Sequence, residues 1–213
     1  MYSSFGKRMI DVILSLIGLI LLSPIFLVII IIIKIDDPGP AFFKQKRVGI
    51  NKSYFNLYKF RSMIENAEGK SGAVLASKSD SRITPVGKFI RATRLDELPQ
   101  LINVLKGDMS LVGPRPERPE IAEQYYENLP EFAYRLKTKA GLTGYAQVMG
   151  KYNTTPYDKL KLDLTYIEKY SVPLDIKLIL LTVKIFFKKE TSEGIEDGQT
   201  TALRYDDGDK NDR

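Results

Sequence analysis

The uncharged segment at residues 12–33 constrains this fold more than any other feature of the sequence. It reads VILSLIGLILLSPIFLVIIIII and contains no charged side chain. As a straight helix of about 22 residues rising ~1.5 Å per residue it would be ~33 Å long, which is enough to span the hydrocarbon of a bilayer. The run is too long for a cleaved signal peptide, and no small-residue cleavage pattern follows it. We therefore expect this segment to be embedded in a membrane.

Two features leave open how this segment runs through the membrane. Ser23 and Pro24 lie at its midpoint, where the proline removes a helical hydrogen bond and the serine hydroxyl can bond to the freed carbonyl. Basic residues lie on both sides, namely Lys7 and Arg8 before it and Lys34, Lys44, Lys46 and Arg47 after it. Because basic residues favour the cytoplasmic side, both ends are predicted to face that side, as in a re-entrant helix that bends at Ser23-Pro24. A kinked helix that crosses the membrane once is the alternative.

The composition narrows the chemistry that the chain can perform. A formal net charge of +6 over 213 residues favours anionic partners, but it does not choose between lipid, nucleic acid and phosphorylated substrates. The chain has no cysteine, which excludes a disulfide framework and a thiol nucleophile. It has no histidine either, so zinc sites of the usual type are excluded and proton transfer must use carboxylates, lysines, tyrosines or water.

Residues 91–117 (RATRLDELPQLINVLKGDMSLVGPRPE) contain the strongest candidate site. Asp96 and Glu97 stand at the start of a short predicted helix in which Pro99 occupies the first turn and Gly107 follows the end. Apolar side chains recur behind them at helical spacing, at Leu98, Leu101, Ile102 and Leu105. The arginines around the pair are Arg91, Arg94 and Arg115. Two carboxylates among guanidiniums suit a phosphate and a divalent metal, although a helix cap with surface ion pairs would give the same pattern.

The segment that follows the apolar run predicts a β-hairpin. Aromatic residues at 42–43 and 54–60 flank a turn at 49–52. Lys59 and Arg61 would lie on one face of an alternating strand, either as a pair that faces phosphate or as a solvated surface.

The other segments are predicted to be mostly helical. Residues 65–84 and 140–151 lack periodicity and are predicted as loops, and the glycines of the second allow its backbone either to approach a ligand or simply to turn. Helices are predicted at 85–92, at 120–139 with an interruption at Pro130, at 156–170 and at 174–189. The helix at 156–170 is amphipathic, with Tyr157, Leu160, Leu164 and Ile167 on its apolar face. The last helix is apolar but carries Lys177 and Lys184, so it either lies flat among lipid headgroups or belongs to the core.

Several short motifs occur in a characteristic order along nearly the whole chain. They are the basic residues before an apolar segment broken at Ser23-Pro24, YKFRSM at 58–63, LDELPQLIN at 95–103, KGDMS at 106–110, GPRP at 113–116, GLTGYAQV at 141–148 and GQTT at 198–201. In this order and spacing they resemble the bacterial sugar transferases called monotopic phosphoglycosyl transferases, in the small form that carries only the catalytic core. Met149 and Lys151 depart from the asparagine and arginine common in that family, so neither is assigned a role.

The resemblance implies a transfer in two displacement steps. Asp96 matches the family nucleophile, which would attack the β-phosphorus of a UDP-sugar, expel UMP and then pass the phospho-sugar to a polyprenyl phosphate. Glu97 matches its partner, and the two carboxylates would hold Mg²⁺ beside the diphosphate. Arg91 and Arg115 match arginines that engage phosphate. Lys59, Arg61, Arg94 and Gln147 complete the predicted substrate-binding set.

We therefore predict an α+β fold that is predominantly helical. It comprises a re-entrant membrane helix-break-helix at residues 1–36, a catalytic domain at 37–203 with a small β-hairpin and interfacial amphipathic helices around the active site, and a frayed tail at 204–213. The expected partners are a UDP-sugar, polyprenyl phosphate and membrane lipid, with a homodimer left open and nucleic acid excluded. The expected location is the cytoplasmic face of a bacterial inner membrane.

Two other functions compete with this one. A membrane-attached binding protein would use its basic charge to hold an anionic leaflet, and Asp96 and Glu97 would then only cap a helix. A transferase that moves the sugar alone would release UDP instead of UMP.

Overall fold

One long helix, α1 (Ser4–Asp36), begins the structure, a computed structural model that describes residues 4–65, 67, 80–150 and 154–186. The predicted interruption does not divide this helix of 33 residues, which continues through Pro24. Proline lacks the N–H that would bond to the carbonyl of Ile20, and the hydroxyl of Ser23 donates to that carbonyl instead at 2.8 Å. The predicted role of Ser23 is therefore confirmed.

Most of α1 is apolar and uncovered. Phe5–Asp36 is long and apolar enough to cross a membrane, and only 11% of its most apolar window is buried. Large side chains are exposed in both halves, for example Leu21 at 71% and Leu27 at 60%. A surface of this size and composition requires an apolar environment.

One face of α1 packs against the rest of the protein from end to end. In the first half, Lys7, Asp11 and Ser15 are buried, and their spacing of four residues places them on one side of the helix. In the second half, Ile29 and Ile33 are buried in a second apolar cluster. Both ends of α1 therefore contact the same folded domain.

The predicted β-hairpin is confirmed. Strands β1 (Phe42–Val48) and β2 (Tyr54–Phe60) pair antiparallel around a 3-10 turn at Ile50–Lys52. Phe60 stacks on Phe42, with ring centroids 5.3 Å apart. Because Phe60 also packs against α1, the hairpin is attached to this helix at that end.

The central segment consists of short elements joined by tight turns. Helix α2 (Pro85–Ala92) has the predicted bounds and is capped by Thr84, whose side chain accepts a hydrogen bond from Gly87 N. A 3-10 turn (Leu95–Glu97) leads into α3 (Gln100–Lys106), which ends at Gly107 with a φ of 94°. Strand β3 (Ser110–Val112) follows. The acidic pair thus lies in the turn before the helix, where it was predicted.

Beyond residue 118, the described residues form helices and one short strand, joined by connecting segments. The elements are α4 (Pro119–Asn128), a 3-10 helix (Pro130–Lys137), β4 (Gly141–Thr143), α5 (Tyr145–Met149), α6 (Pro156–Lys169) and α7 (Val172–Phe186). The predicted break at Pro130 is confirmed. The predicted loop at 140–151 is wrong for β4 and α5, because β4 pairs in parallel with the distant β3 and local sequence carries no signal for that pairing.

Two glycines of that segment allow a close approach of backbone to backbone. A Cβ atom at Gly141 would lie 2.1 Å from Gly113 N, and one at Gly144 would lie 2.2 Å from Gly113 O. At both positions glycine allows the two backbone segments to lie in direct contact.

Helices α6 and α7 each have one buried face. The apolar face predicted for α6 is rotated, because Leu160, Asp163 and Tyr166 are buried whereas Tyr157 is 56% exposed. In α7, Leu178 is fully buried in the main core, but Leu180 on the other side is 64% exposed. The predicted core position of α7 is therefore confirmed for one face, and its other face leaves apolar side chains uncovered.

Several sequence predictions concern residues outside the described ranges. They are most of the loop at 65–84, Lys151, the motif at 198–201 and the tail at 204–213.

Candidate active site

A strained turn presents the two acidic side chains. Arg94, directly before the 3-10 turn, has a φ of 54°, a left-handed conformation that is uncommon for a residue with a side chain. Its carbonyl accepts a hydrogen bond from Glu97 N at 3.2 Å, which closes the turn. Both Asp96 and Glu97 are buried as a result. Backbone strain of this kind is common where a side chain must be held in a functional position.

Glu97 is held between two cations. Lys59 Nζ lies 3.0 Å from Glu97 Oε1, and Arg115 Nη2 lies 2.6 Å from the same oxygen. Burial alone would raise the pKa of Glu97, but Arg115 and Lys59 outweigh it and hold the pKa well below its usual range. Glu97 is therefore a carboxylate at any physiological pH.

Asp96 shares the lysine with Glu97. Lys59 Nζ lies 3.6 Å from Asp96 Oδ2, which is close enough for an ion pair but longer than a hydrogen bond. The side chain of Asp96 is only 4% exposed, whereas those of Lys59 and Arg115 are 15% and 27% exposed. A ligand that approaches Asp96 from solvent therefore meets the two cations first.

The loop that carries Arg115 rests on a buried ionic network. Arg135 is 2% exposed, and its guanidinium contacts Asp163 through Nη2 at 2.7 Å and Glu117 through Nη1 at 3.3 Å. Lys159 also pairs with Glu117. Burial raises the pKa of Glu117, but Lys159 and Arg135 outweigh it and lower that pKa to about 2. At Asp163 burial prevails and raises the pKa.

Cations are crowded near this loop. Burial and, next in size, the nearby charge of Arg115 together lower the pKa of Arg47 to about 10. A cation that is destabilised by another cation favours a bound anion between or beside them. The site therefore suits an anionic ligand such as a phosphate.

The structure brings some predicted site residues together and separates others. It joins Asp96, Glu97, Lys59 and Arg115. Arg61 instead pairs with Asp37 at 3.4 Å, so it does not form a pair with Lys59 facing one ligand.

The other predicted substrate-binding residues have different roles in the described contacts. Arg91 lies at the end of α2, and among the described contacts it forms no hydrogen bond or ion pair with either acid. Its positive charge instead helps to lower the pKa of Asp80, after the larger effect of Arg82. Arg94 starts the acidic turn through its backbone. Gln147 donates from Nε2 to the carbonyl of Leu142 at 3.1 Å, and its buried Oε1 has no hydrogen-bond partner among the described residues.

The side-chain oxygens available at the site limit which metal ion it could hold. Among the described residues, no group of three or more acidic side chains comes together. Asp96 and Glu97 can offer carboxylate oxygens, although Lys59 and Arg115 already neutralise part of the charge of Glu97. This set fits Mg²⁺, which binds through one or two carboxylates and takes its other ligands from substrate phosphates and water.

Arg135 and Arg47 were not identified as site residues from the sequence. Both lie in segments whose helix or strand pattern gives no reason to single them out, and their partners are distant in the chain. Only the folded structure shows that both guanidiniums surround the backbone of the Arg115 loop.

Taken together, the fold and the site define a protein with one long, largely exposed apolar helix and a buried carboxylate pair held by cations that suit a phosphorylated ligand. Residues 2–189 match the family model described as bacterial sugar transferase. The chain belongs to the bacterial sugar transferase family.

Three similar proteins have names that describe related activities. A UDP-N-acetylgalactosamine-undecaprenyl-phosphate N-acetylgalactosaminephosphotransferase of Aeromonas hydrophila is 42% identical over 184 residues, which cover 85% of this chain and 43% of that protein. An undecaprenyl-phosphate glucose phosphotransferase of Komagataeibacter xylinus is 41% identical over 186 residues, covering 84% of this chain and 35% of that protein. A UDP-glucose:undecaprenyl-phosphate glucose-1-phosphate transferase of Caulobacter vibrioides is 40% identical over 182 residues, covering 83% of this chain and 68% of that protein. The chain thus spans less than half the length of the first two.

Proposed function

We propose that this protein transfers a phospho-sugar from a UDP-sugar to a membrane polyprenyl phosphate and releases UMP. The observation that carries the proposal is the pair Asp96 and Glu97, held by Lys59 and Arg115 in a domain that packs along an apolar helix. The names of the similar proteins include both substrates, undecaprenyl phosphate and, for two of them, a UDP-sugar. Because those names differ in the sugar, we leave the sugar open.

In the first step, a carboxylate oxygen of Asp96 attacks the β-phosphorus of the UDP-sugar. The bond from that phosphorus to the bridging oxygen breaks, and UMP leaves with the electron pair. In the second step, a phosphate oxygen of the polyprenyl phosphate attacks the same phosphorus, and the carboxylate of Asp96 leaves. The products are polyprenyl-diphosphate-sugar and free enzyme. Neither step requires a proton transfer, which agrees with a chain that has no histidine.

The residues around Asp96 act by position and charge. Phosphoryl transfer depends mainly on alignment and on neutralising the non-bridging oxygens, and Lys59 and Arg115 are the cations that stand next to the acidic pair. They also reduce the repulsion between the Asp96 carboxylate and the incoming diphosphate. Magnesium bound through Asp96 and Glu97 would supply further charge neutralisation at the phosphate oxygens.

The packing of α1 supports a membrane position for this protein. In its first half, Lys7 forms an ion pair with Asp175 of α7 at 2.7 Å. At its other end, Asp36 accepts a hydrogen bond from Val86 N of α2 at 3.2 Å. A helix that crossed the bilayer would separate these two ends by the membrane thickness, yet one domain holds both. These contacts support a re-entrant or in-plane helix with the domain on one face, which we propose is the cytoplasmic face.

The exposed side of α7 supports the same position. Ile176, Leu180 and Val183 are about half or more exposed, and Lys177 and Lys184 border them. An apolar strip bordered by lysines suits the boundary between acyl chains and anionic headgroups. We propose that this side of α7 lies in the interface.

Single cysteines can test the membrane topology because the chain has none of its own. Phe5→Cys and Lys44→Cys should both react with a membrane-impermeant thiol reagent in inside-out vesicles, and neither should react in right-side-out vesicles. Labelling of the two positions from opposite sides would exclude a re-entrant helix.

Intact-mass analysis tests the chemistry. The purified protein mixed with a UDP-sugar should gain the mass of one phospho-sugar and release UMP, and Asp96→Asn should show neither change. Asp158→Asn, at an exposed acid in the first turn of α6, is the matched control and should behave as wild type. Release of UDP would favour transfer of the sugar alone, and binding without turnover would favour a binding protein. Full activity of Asp96→Asn would exclude the proposed nucleophile.

A further inference from the structure

The backbone of the loop that carries Arg115 is held at three consecutive carbonyl groups. The carbonyl of Arg115 accepts from Arg135 Nη2 at 2.9 Å, and the carbonyl of Pro116 accepts from Arg47 Nη1 at 3.0 Å. The carbonyl of Glu117 accepts from Val48 N at 3.0 Å. Two of these three donors are guanidiniums, whereas the carbonyl groups of connecting segments usually face water.

Arg135 is the central member of this arrangement. Its guanidinium is almost completely buried and serves three partners: Asp163 of α6, the side chain of Glu117 and the carbonyl of Arg115. It also lies over the ring of Phe132, 4.7 Å from the centroid. Burying a charge in this way is costly unless each donor is paired, and replacing such a pair by apolar residues is often neutral or stabilising. Stability alone therefore gives no strong reason for an arginine here.

We propose that Arg135 is a positioning residue for Arg115. By fixing the carbonyl of Arg115 and the side chain of the adjacent Glu117, it determines where the Arg115 guanidinium meets Glu97. Arg135 itself contacts neither the acidic pair nor, in this proposal, the substrate. The functional part of the inference rests on the proposed role of Arg115 as a phosphate-binding cation.

The positions of these three partners require the planar guanidinium group of an arginine. A guanidinium offers five N–H groups in fixed directions, and here Nε and Nη2 face Asp163, Nη1 faces Glu117, and Nη2 also reaches the backbone carbonyl. A lysine ammonium at this position can keep the charge near Asp163, but it cannot reach all three partners from one point. Arg135→Lys therefore removes the positioning while it keeps the buried charge.

A double-mutant cycle separates positioning from general support of the fold. If Arg135 acts through Arg115, Arg135→Lys should lower kcat/KM for UMP release about tenfold or more in the wild-type background. In an Arg115→Gln background, where the positioned guanidinium is absent, the same change should lower kcat/KM by less than about twofold. Lys137→Gln, at an exposed lysine of the same 3-10 helix, is the control and should have no effect. An equal fold-loss in both backgrounds would overturn the proposal.

Two further measurements keep the test decisive. If Arg135→Lys unfolds in detergent, the double variant Arg135→Met with Asp163→Leu removes the buried pair together and takes its place in the cycle. Hydrogen–deuterium exchange of the peptide at residues 111–118 should rise in the Arg135 variant and stay unchanged in Lys137→Gln, whether or not the protein transfers phospho-sugars. Unchanged exchange of this peptide in the Arg135 variant would refute the proposal that Arg135 positions Arg115. Absence of UMP release by the wild-type protein would refute only the proposed function.

Discussion

Removal of the Lys59 charge should weaken catalysis by an amount that the geometry allows us to estimate. Lys59 Nζ lies 3.0 Å from Glu97 Oε1 and 3.6 Å from Asp96 Oδ2. At 3.6 Å a pair of unit charges interacts by roughly 5 kcal/mol at an effective dielectric constant of about 20. In the proposed reaction the Lys59 ammonium faces the non-bridging oxygens of the transferred phosphate, where a charged hydrogen bond is worth about 2 kcal/mol after desolvation. Lys59→Met should therefore lower kcat/KM for UMP release by roughly thirtyfold.

The same variant should change the pH dependence in a defined direction. Lys59 is one of the two cations that hold the pKa of Glu97 well below its usual range, so its removal raises that pKa. The acid limb of the pH–rate profile should consequently move to higher pH. Profiles of kcat/KM in detergent or nanodiscs, with a UDP-sugar and undecaprenyl phosphate, measure both effects together.

Lys44 provides the matched control for this prediction. It lies on the same hairpin but is exposed, with its ammonium 5.7 Å from the centroid of the Tyr58 ring. Lys44→Met should stay within about twofold of wild type, since an exposed cation–π contact contributes little. A folded Lys59→Met protein with wild-type kcat/KM and an unshifted acid limb would refute the electrostatic account of this site.

Three further predictions concern the elements that support the site. The pKa of Glu117 falls from 4.5 to about 2 on folding, so its ionised form contributes up to about 3 kcal/mol to stability above pH 4.5. This contribution is lost as the pH falls towards 2. The difference in unfolding temperature between wild type and Glu117→Gln should therefore shrink as the pH is lowered over that range. A Cβ atom at Gly141 would lie 2.1 Å from Gly113 N, so Gly141→Ala should displace the Arg115 loop and abolish most UMP release. Gly49→Ala is the control and should be tolerated, because its Cβ atom would lie no closer than 3.1 Å to a neighbouring atom. Asp11 accepts two hydrogen bonds from β3 at 3.0 and 3.1 Å, so Asp11→Ala leaves buried donors unpaired and should lower the free energy of unfolding by about 1–3 kcal/mol, measured by denaturation in detergent.

Local pattern was sufficient to predict the elements whose signals lie within a few residues. The hairpin follows from aromatic strands around a turn, and α2 has the bounds predicted for it, beginning at Pro85. The acidic turn was also predicted, because Pro99 and the apolar spacing mark the helix behind it. Lys59 and Arg115 were both chosen as candidates, and the structure joins them at Glu97.

The rest depends on contacts between distant segments. Strand β4 is three residues long and exists because β3 lies beside it, about 30 residues earlier in the chain. The expected pairing of Lys59 with Arg61 assumed that strand alternation continues, but β2 ends at Phe60 and Arg61 turns to Asp37. Arg135 finds Asp163 and Glu117 only in the folded protein, and no periodicity in the sequence reports such a network.

The polar side chains on the buried face of α1, namely Lys7, Asp11 and Ser15, limit which segments could replace this helix. Lys7 and Asp11 find their partners at Asp175 and at the start of β3, which the ribosome makes much later than the helix. During synthesis Asp11 and Lys7 therefore remain without these partners until 99 and 168 further residues, respectively, have been added. An unrelated polyleucine segment would bind the bilayer at least as well, yet it would leave the domain without these contacts. We therefore expect that another membrane segment cannot replace α1. A chimaera with a generic apolar segment in its place should reach the membrane but should not reach the native fold.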